Sequence, residues 1–354
     1  MKLVRICSVL LLVLVFNEAR PCTAFCQYYA NRAVLARNLD WPVDEGLILI
    51  NQAGIREGRS LYGDTIQWLA LYRSISFTQF GPGLPLGGMN EKGLVVEELN
   101  GPQFEVKRDL PGFCLNELQL IQYLLDCCTS VKEAKMALDT LLVGPDLLPL
   151  HYLLMDRMGN SLVIEPVTGH FELVDPCSFG IPVLSNNAYK ESLRYLSMFQ
   201  GFGGELPVQH RPGSNERFVS VADLLRKEGS DKDSWKNPVH RAFSILDTVS
   251  QEDTRWSLVY EPRELCVYLK FHSCTYIQKF SLLHILDHRE ELFLAMEMAC
   301  CSREGAGAFH CLQPDCVVAL LQRVGNKLCQ ILDQPGLQNL FLNWENYSLS
   351  FINQ

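Results

Sequence analysis

The sequence places a cysteine where an N-terminal nucleophile could form. Cys22 follows a leader, residues 1–21, in which two basic residues precede an apolar run from Val9 to Phe16. A basic start followed by an apolar stretch of this length is typical of a cleaved secretory signal, and the stretch is too short to span a bilayer. Removal of residues 1–21 would leave a thiol and a free α-amine together on Cys22.

An α-amine can act as the base for a thiol on the same residue. A cysteine thiol has a reference pKa of about 8.5 and an α-amine one of about 7.7–8.0, so the amine can accept the thiol proton near neutral pH. Arg37 and Asp40 follow in a segment with the pattern of a strand. A guanidinium near sulfur lowers the thiol pKa, and a carboxylate that accepts from the amine orients it. The predicted chemistry is nucleophilic attack by sulfur.

The same residues also have a purely structural interpretation. Cys22 could form a disulfide with Cys26 or another cysteine, while Arg37 and Asp40 could form a surface ion pair. Of the fourteen cysteines, thirteen lie beyond the leader, and export would expose them to an oxidising compartment in which several could pair. Because thirteen is odd, at least one thiol would stay unpaired if all bridges were intramolecular.

Strand geometry sets a condition on the proposed pair. Side chains alternate between the two faces of a strand, so Arg37 and Leu39 should share one face, with Asn38 and Asp40 on the other. A bulge or the end of the strand is needed to bring Arg37 and Asp40 to one site.

Several short motifs occur in a recognisable order between residue 22 and about residue 280. They are Cys22-Thr23-Ala24, Arg37-Asn38-Leu39-Asp40, Gly88-Met89-Asn90-Glu91-Lys92-Gly93-Leu94, Leu99-Asn100, Val183-Leu184-Ser185-Asn186, Glu216-Arg217-Phe218 and Thr254-Arg255-Trp256-Ser257-Leu258-Val259-Tyr260. Together they resemble the choloylglycine hydrolase and penicillin V acylase family of N-terminal nucleophile hydrolases. The resemblance implies an α+β fold with four αββα layers. It also implies hydrolysis of linear amide C–N bonds, in N-acyl amides such as conjugated bile salts or penicillin V.

The resemblance also implies roles for individual residues. Cys22 matches the nucleophile, with its own α-amine as base, and Arg37 and Asp40 match the residues that flank thiol and amine. Asn100 and Asn186 match the positions that serve the oxyanion, one through its main-chain N–H and the other through its side-chain amide. The late active-site arginine of the family corresponds to Arg217.

Two other functions stay open at this stage. Acid ceramidase and N-acylethanolamine acid amidase also pair a Cys-Thr start with an Arg-Asn-x-Asp segment, but their nucleophile is exposed by internal cleavage of a longer precursor, whereas Cys22 lies close behind the leader. The chain could instead be a secreted, disulfide-rich binding protein without activity. Replacement of Cys22 by alanine distinguishes these classes, because a binding protein would tolerate it.

Composition limits the partners of the chain. Its formal net charge is −9, and no block of basic residues occurs, which disfavours nucleic acids and anionic membranes as partners. We expect a small-molecule N-acyl amide as substrate, no cofactor and no metal, and a secreted, periplasmic or lumenal location without membrane insertion after loss of the leader. The family resemblance leaves a homo-oligomer possible.

Hydrophobic periodicity predicts strands that alternate with helices, which favours two sheets covered by helices. The main predicted elements are strands over 34–39, 47–50 and 93–100, helices over 115–128, 130–142, 214–227 and from 238, and hairpins over 151–165 and 255–271. We expect a hydrolase domain over residues 22–281. Residues 282–354 form a cysteine-rich extension of unassigned role, beginning with a helix over 282–299.

Overall fold

The computed structural model describes residues 22–29, 32–53, 68–104, 113–144, 149–167, 170–228, 237–274, 276–286, 293–298, 309–331 and 337–352. The predicted leader lies outside the described residues, as do Cys300 and Cys301 of the extension.

Two antiparallel sheets dominate the described part of the chain. The first has six strands in the order β12-β1-β2-β13-β14-β15, and the second has nine in the order β11-β10-β9-β6-β5-β4-β3-β16-β17. A parallel pair, β7-β8, stands apart. The strands are β1 (Thr23–Tyr28), β2 (Ala33–Asp40), β3 (Leu47–Asn51), β4 (Ser74–Thr78), β5 (Gly87–Asn90), β6 (Val95–Asn100), β7 (Phe113–Asn116), β8 (Leu141–Gly144), β9 (Leu150–Met155), β10 (Ser161–Val167), β11 (His170–Val174), β12 (Val183–Leu184), β13 (Thr254–Glu261), β14 (Cys266–Phe271), β15 (Ile277–Ser281), β16 (Phe293–Glu297) and β17 (His310–Cys311).

Helices cover the outer faces of both sheets. They are α1 (Glu117–Cys127), α2 (Val131–Leu138), α3 (Tyr189–Leu196), α4 (Ser214–Glu228), α5 (Pro238–Thr248), α6 (Leu282–Leu286), α7 (Pro314–Ile331) and α8 (Leu337–Ile352). Helix α4 packs on β1 and β12, and α5 packs on β2 and β13, whereas α1 packs on β5 and β6 of the other sheet. Since β1 also contacts β6 and β9 across the interior, the order is helix, sheet, sheet, helix. The expected α+β fold with four αββα layers is confirmed.

Local sequence signals fix several of these elements as predicted. Asn237 caps α5 by accepting a hydrogen bond from the backbone N–H of His240 at 3.3 Å. In the β9–β10 hairpin, Asp156 Oδ1 accepts from the backbone N–H groups of Met158 and Asn160 at 2.9 and 3.0 Å. Such side-chain caps and turns satisfy backbone donors that the element itself leaves open.

Two sequence-based predictions are wrong in extent. The helix expected over 130–142 ends at Leu138, and Leu141 begins β8, which pairs in parallel with β7. The helix expected over 282–299 ends at Leu286, and Phe293–Glu297 is instead a strand paired with β3. In both cases a strand partner distant in sequence offers a full set of backbone hydrogen bonds, which outweighs a weak local helical preference.

The C-terminal segment packs on the nine-stranded sheet. Strand β16 extends that sheet beyond β3, and helices α7 and α8 pack against each other. Within the described ranges, no helix has the length and apolar character that crossing a membrane requires.

Candidate active site

Cys22 lies at the start of β1, in the interior between the two sheets. Strand β2 runs beside β1 with Thr23 opposite Asn38, so the end of β2 lies next to the thiol. Only 4% of Cys22 is exposed, and its thiol lies 3.8 Å from the main-chain oxygen of Asp40, to which it can donate. Burial raises the pKa of the Cys22 thiol to about 12, although the nearby Arg37 guanidinium opposes the rise. A buried thiol of this kind needs a base at close range.

Arg37 is buried between two carboxylates. Its Nη1 donates to Glu97 Oε2 at 2.6 Å and to the main-chain oxygen of Leu86 at 3.2 Å, and its Nη2 donates to Glu98 Oε1 at 2.8 Å. Burial alone would lower the pKa of Arg37, but the two carboxylates raise it well above its usual range. The guanidinium is therefore held charged next to the thiol.

Glu97 shares that cation with a second acid. Burial raises the pKa of Glu97 to about 7, and the neighbouring Glu98 adds to the rise, while Arg37 and a hydrogen bond from the Tyr260 hydroxyl oppose it. One guanidinium cannot neutralise two buried carboxylates, so uptake of one proton makes this group neutral.

Asp40 ends β2 with one carboxylate oxygen engaged and one unengaged. Thr254 Oγ1 donates to Oδ1 at 2.5 Å, whereas Oδ2 is buried and has no hydrogen-bond partner within the described structure. Burial raises the pKa of Asp40 to about 6, against the opposing effect of Arg217 and of the bond from Thr254. A buried carboxylate oxygen without a donor costs about 1–3 kcal/mol. Oδ2 is therefore a candidate acceptor for a hydrogen-bond donor that the described structure does not contain.

A bulge in β13 lies opposite the end of β2. Asp40 pairs with Thr254 of β13 and Leu39 pairs with Trp256, so the register shifts at Arg255. The extra residue lies opposite the end of β2, where strand twist increases. Arg37 bonds Glu97 and Glu98 of the other sheet, whereas Asp40, the last residue of β2, bonds Thr254 of its own sheet. Both charges nevertheless act on the Cys22 thiol, which lies beside the end of β2.

Arg217 reaches the start of β1 from the first turn of α4. Its Nη2 donates to the main-chain oxygen of Cys22 at 3.0 Å and its Nε to Thr23 Oγ1 at 2.8 Å, while Nη1 donates to the main-chain oxygen of Pro212 at 2.9 Å. Burial lowers the pKa of Arg217, and the nearby Asp40 opposes that change. A cation at a helix N-terminus opposes the helix dipole, but here it is engaged with the nucleophile residue.

The two predicted oxyanion residues are in contact. Asn186 Nδ2 donates to the main-chain oxygen of Asn100 at 2.8 Å, and the Asn186 backbone N–H donates to Ser214 Oγ at 3.0 Å. Asn100 ends β6 and lines the same cavity as Cys22. All six residues predicted from the sequence thus lie around one end of β1 and β2.

A small, mainly apolar cavity adjoins the thiol. Its volume is about 30 Å³, roughly the space that one water molecule takes up in the liquid. It is lined by Cys22, Leu39, Trp41, Gln79, Phe80, Leu86, Glu98, Asn100, Glu117, Leu118 and Leu150. A roomier cavity of about 540 Å³ lies further along β1, where Cys26, Tyr28 and Cys177 line it, and it does not include Cys22.

Several residues of the site escaped the sequence analysis. Glu97 and Glu98 were only part of a predicted strand, yet two adjacent acids inside an apolar strand are a signal for a buried cation, since buried carboxylates need a partner. Thr23 and Thr254 lie within the motifs of the resemblance, but nothing in the sequence indicates that they bond Arg217 and Asp40, because threonine is common in strands.

The described residues also bear on the expected disulfides and on metal binding. Cys22, Cys26 and Cys177 are thiols in this structure, so the disulfides expected from the cysteine count stay a prediction. No group of three or more His, Cys, Asp or Glu side chains suited to a metal ion occurs in the described ranges.

The chain is similar in sequence to one family and in structure to several solved proteins. A family model described as linear amide C–N hydrolases, choloylglycine hydrolase family, matches residues 22–205. Penicillin V acylase from Agrobacterium tumefaciens superposes with a TM-score of 0.62 at 20% identity, covering 78% of this chain and 91% of that one. A variant of the conjugated bile acid hydrolase from Clostridium perfringens gives 0.63 at 18% identity, covering 82% and 100%. At these identities the structural likeness establishes the fold. Among curated protein sequences no match is found.

Proposed function

Because the chain belongs to the choloylglycine hydrolase family of linear amide C–N hydrolases, we propose that it hydrolyses N-acyl amides with Cys22 as an N-terminal nucleophile. In this proposal residues 1–21 are removed during or after export, and the α-amine of Cys22 becomes the base. The substrate is a small N-acyl amide.

The observation that carries the proposal is the unengaged oxygen of Asp40. Oδ2 is buried without a donor among the described residues, and the carboxylate belongs to the same group of charges as the Cys22 thiol and Arg217. A free α-amine on Cys22 would supply an N–H donor at this end of β1. Asp40 would then orient the amine towards the thiol, whose raised pKa makes such a base necessary.

The reaction follows from these positions. The thiol proton passes to the α-amine while sulfur bonds to the amide carbonyl carbon. The amine then protonates the leaving nitrogen, the C–N bond breaks and a thioester remains. Water attacks the thioester, the amine accepts a proton from it, and the carboxylic acid leaves as the thiol is restored. Arg37 favours negative charge on sulfur throughout.

Two asparagines would stabilise the oxyanion. The Asn186 amide has two N–H groups, of which one is used on the Asn100 carbonyl. The second, together with the main-chain N–H of Asn100, would donate to the developing oxyanion. Donors of this kind typically contribute about 2.7–4 kcal/mol each. Arg217 holds the Cys22 carbonyl and so fixes the residue that carries both nucleophile and base.

The first experiment is N-terminal sequencing and intact mass measurement of the mature, exported protein, followed by assays with a panel of N-acyl amides. We expect the mature chain to begin at Cys22. Cys22→Ala should remain folded and lose all turnover. The matched control is Cys26→Ala, which removes another buried thiol of β1 outside the cavity beside Cys22. It should leave turnover within about fivefold, which corresponds to about 1 kcal/mol of activation free energy.

The outcomes separate the alternatives. A mature chain that begins before Cys22, or a Cys22 found in a disulfide, would remove the proposed base and favour a binding protein. Amide hydrolysis retained by Cys22→Ala would end the nucleophile assignment.

A further inference from the structure

The C-terminal helix α8 contacts the loop that walls the cavity beside Cys22. Phe80 and Leu86 line that cavity, and the segment between them connects β4 to β5. The Phe80 ring stacks edge-on against Trp344 with ring centroids 4.8 Å apart, and it also meets Phe341 at 6.2 Å. Trp344 is fully buried, and Phe80 and Phe341 are 2% and 5% exposed. We define these three rings as the aromatic wall.

The backbone of the same loop is fixed by α8. Ser348 Oγ lies 3.3 Å from the main-chain oxygens of both Phe80 and Pro82, to which it can donate. Gly81 has a φ of +92°, and a Cβ there would come within 2.4 Å of Ser348 Oγ. Only glycine tolerates both the left-handed backbone and the close approach of the helix.

The inner side of the loop is fixed as well. Thr78 Oγ1 accepts from the Phe80 backbone N–H at 3.0 Å and lies 2.8 Å from the main-chain oxygen of Leu84. Gln79 Nε2 donates to the main-chain oxygens of Val43 and Glu45 at 2.9 and 2.6 Å. Hydrogen bonds therefore hold the loop, and with it Phe80, from both sides.

We propose that this cavity receives the acyl group of the substrate and that the aromatic wall, held by α8, restricts it to short acyl groups. The inference rests on the proposed function, because it assumes that the acyl carbon bonds to Cys22. The volume of about 30 Å³ and the apolar lining by Leu39, Leu118 and Leu150 leave no room for a long chain. Trp344 is a positioning residue in this account, because it acts through Phe80.

The test measures acyl-length selectivity of the mature enzyme. We would determine kcat/KM for two 4-nitroanilides, N-butyryl and N-decanoyl, and use their ratio. One methylene in an apolar pocket changes kcat/KM by about 10–200-fold, so the wild type should prefer butyryl by at least about tenfold. Phe80→Ala should reduce that preference at least about tenfold, and Phe80→Leu should do so to a smaller extent.

Variants of Trp344 in α8 show whether this residue supports Phe80 specifically or only contributes to general packing. Trp344→Ala should lower the preference in the same direction as Phe80→Ala, and Trp344→Phe should keep it within about threefold of wild type because an aromatic ring still supports Phe80. The matched control is Phe280→Ala. Phe280 is a buried phenylalanine that packs on Phe309 in another part of the molecule, and its loss should leave the ratio unchanged.

Two outcomes of the kinetic test would overturn the proposal. An unchanged ratio in a folded, active Phe80→Ala, or a wild type that prefers decanoyl, would overturn it. If no anilide is hydrolysed by any variant, the proposed function is in question instead. The effect of the aromatic wall on acyl length is then tested by the binding of carboxylates. Butyrate and decanoate are then added and the shift in melting temperature is measured. Stabilisation of the wild type by decanoate equal to that of Phe80→Ala would also overturn the wall.

Discussion

Thr254 offers a test of Asp40 that leaves the reacting atoms in place. Its hydroxyl donates to Asp40 Oδ1 at 2.5 Å, and that bond keeps the pKa of Asp40 lower than burial alone would make it. We predict that Thr254→Val shifts the acid limb of the kcat/KM profile to higher pH. The variant is similar in size to threonine and differs mainly in the loss of the hydroxyl.

The size of the shift follows from the hydrogen bond. A bond to a charged group contributes about 1.5–3 kcal/mol, and one pH unit corresponds to about 1.4 kcal/mol. The inflection that Asp40 contributes to the acid limb, expected near pH 6, should therefore rise by about one to two pH units. The sign is fixed, because a lost donor destabilises only the carboxylate form.

The assay is the pH dependence of kcat/KM for one N-acyl amide between pH 4 and 9, since this parameter reports the groups of the free enzyme. Thr254→Ser keeps the hydroxyl and should match wild type. Ser257→Ala removes another hydroxyl of β13, which donates to Asn38 at 2.6 Å, and should not move the limb. A superimposable profile for Thr254→Val, or an equal shift in Thr254→Ser, would refute the reasoning.

Three further predictions concern charge and local structure. Burial raises the pKa of Glu97 from 4.5 to about 7. The contribution of protonated Glu97 to the free energy of unfolding is therefore fully present below about pH 4.5 and is lost as pH rises through 7. Urea unfolding of Glu97→Gln should lack this loss, which for wild type amounts to about 3 kcal/mol. Asp40→Asn should cut kcat at least about tenfold while the melting temperature stays near that of wild type; a loss as large as in a core mutant would mean that Asp40 is structural. Ser130 caps α2 by accepting from the Glu133 backbone N–H at 3.3 Å, so Ser130→Ala should lower the free energy of unfolding by about 1 kcal/mol with kcat/KM unchanged, and an altered kcat/KM would contradict a purely structural role.

Local signals predicted a large part of the fold correctly. The β9–β10 hairpin, the β13–β14 hairpin and the helix that begins at Pro238 all depend on residues close in sequence, such as Asp156 and Asn237. Their hydrogen bonds form within a few residues, so the type of residue and its spacing are sufficient. The elements that failed, at 139–142 and at Phe293–Glu297, were those for which a distant strand competes with a local helix.

The sequence predicted six residues that lie close together in the structure, but it did not predict their arrangement or all of their partners. Motif order gave Cys22, Arg37, Asp40, Asn100, Asn186 and Arg217. It could not give the bulge at Arg255 of β13 opposite Asp40, because β13 lies 214 residues away along the chain, measured from Asp40 to Thr254. Nor could it assign Glu97 and Glu98 as partners of Arg37, about sixty residues away along the chain.

The sequence by itself determined which chemical groups the chain carries and the short-range elements that carry them. A thiol, guanidinium groups and carboxylates are properties of residues, and caps and turns are properties of their neighbours. Only the tertiary structure decided the electrostatic state of those groups and the shape of the space beside them. The raised pKa of Cys22 depends on burial between two sheets, and Phe80 is supported by Trp344, more than two hundred and fifty residues later. Burial and long-range contact exist only once distant segments have packed, since the cost of bringing them together is repaid by the whole core.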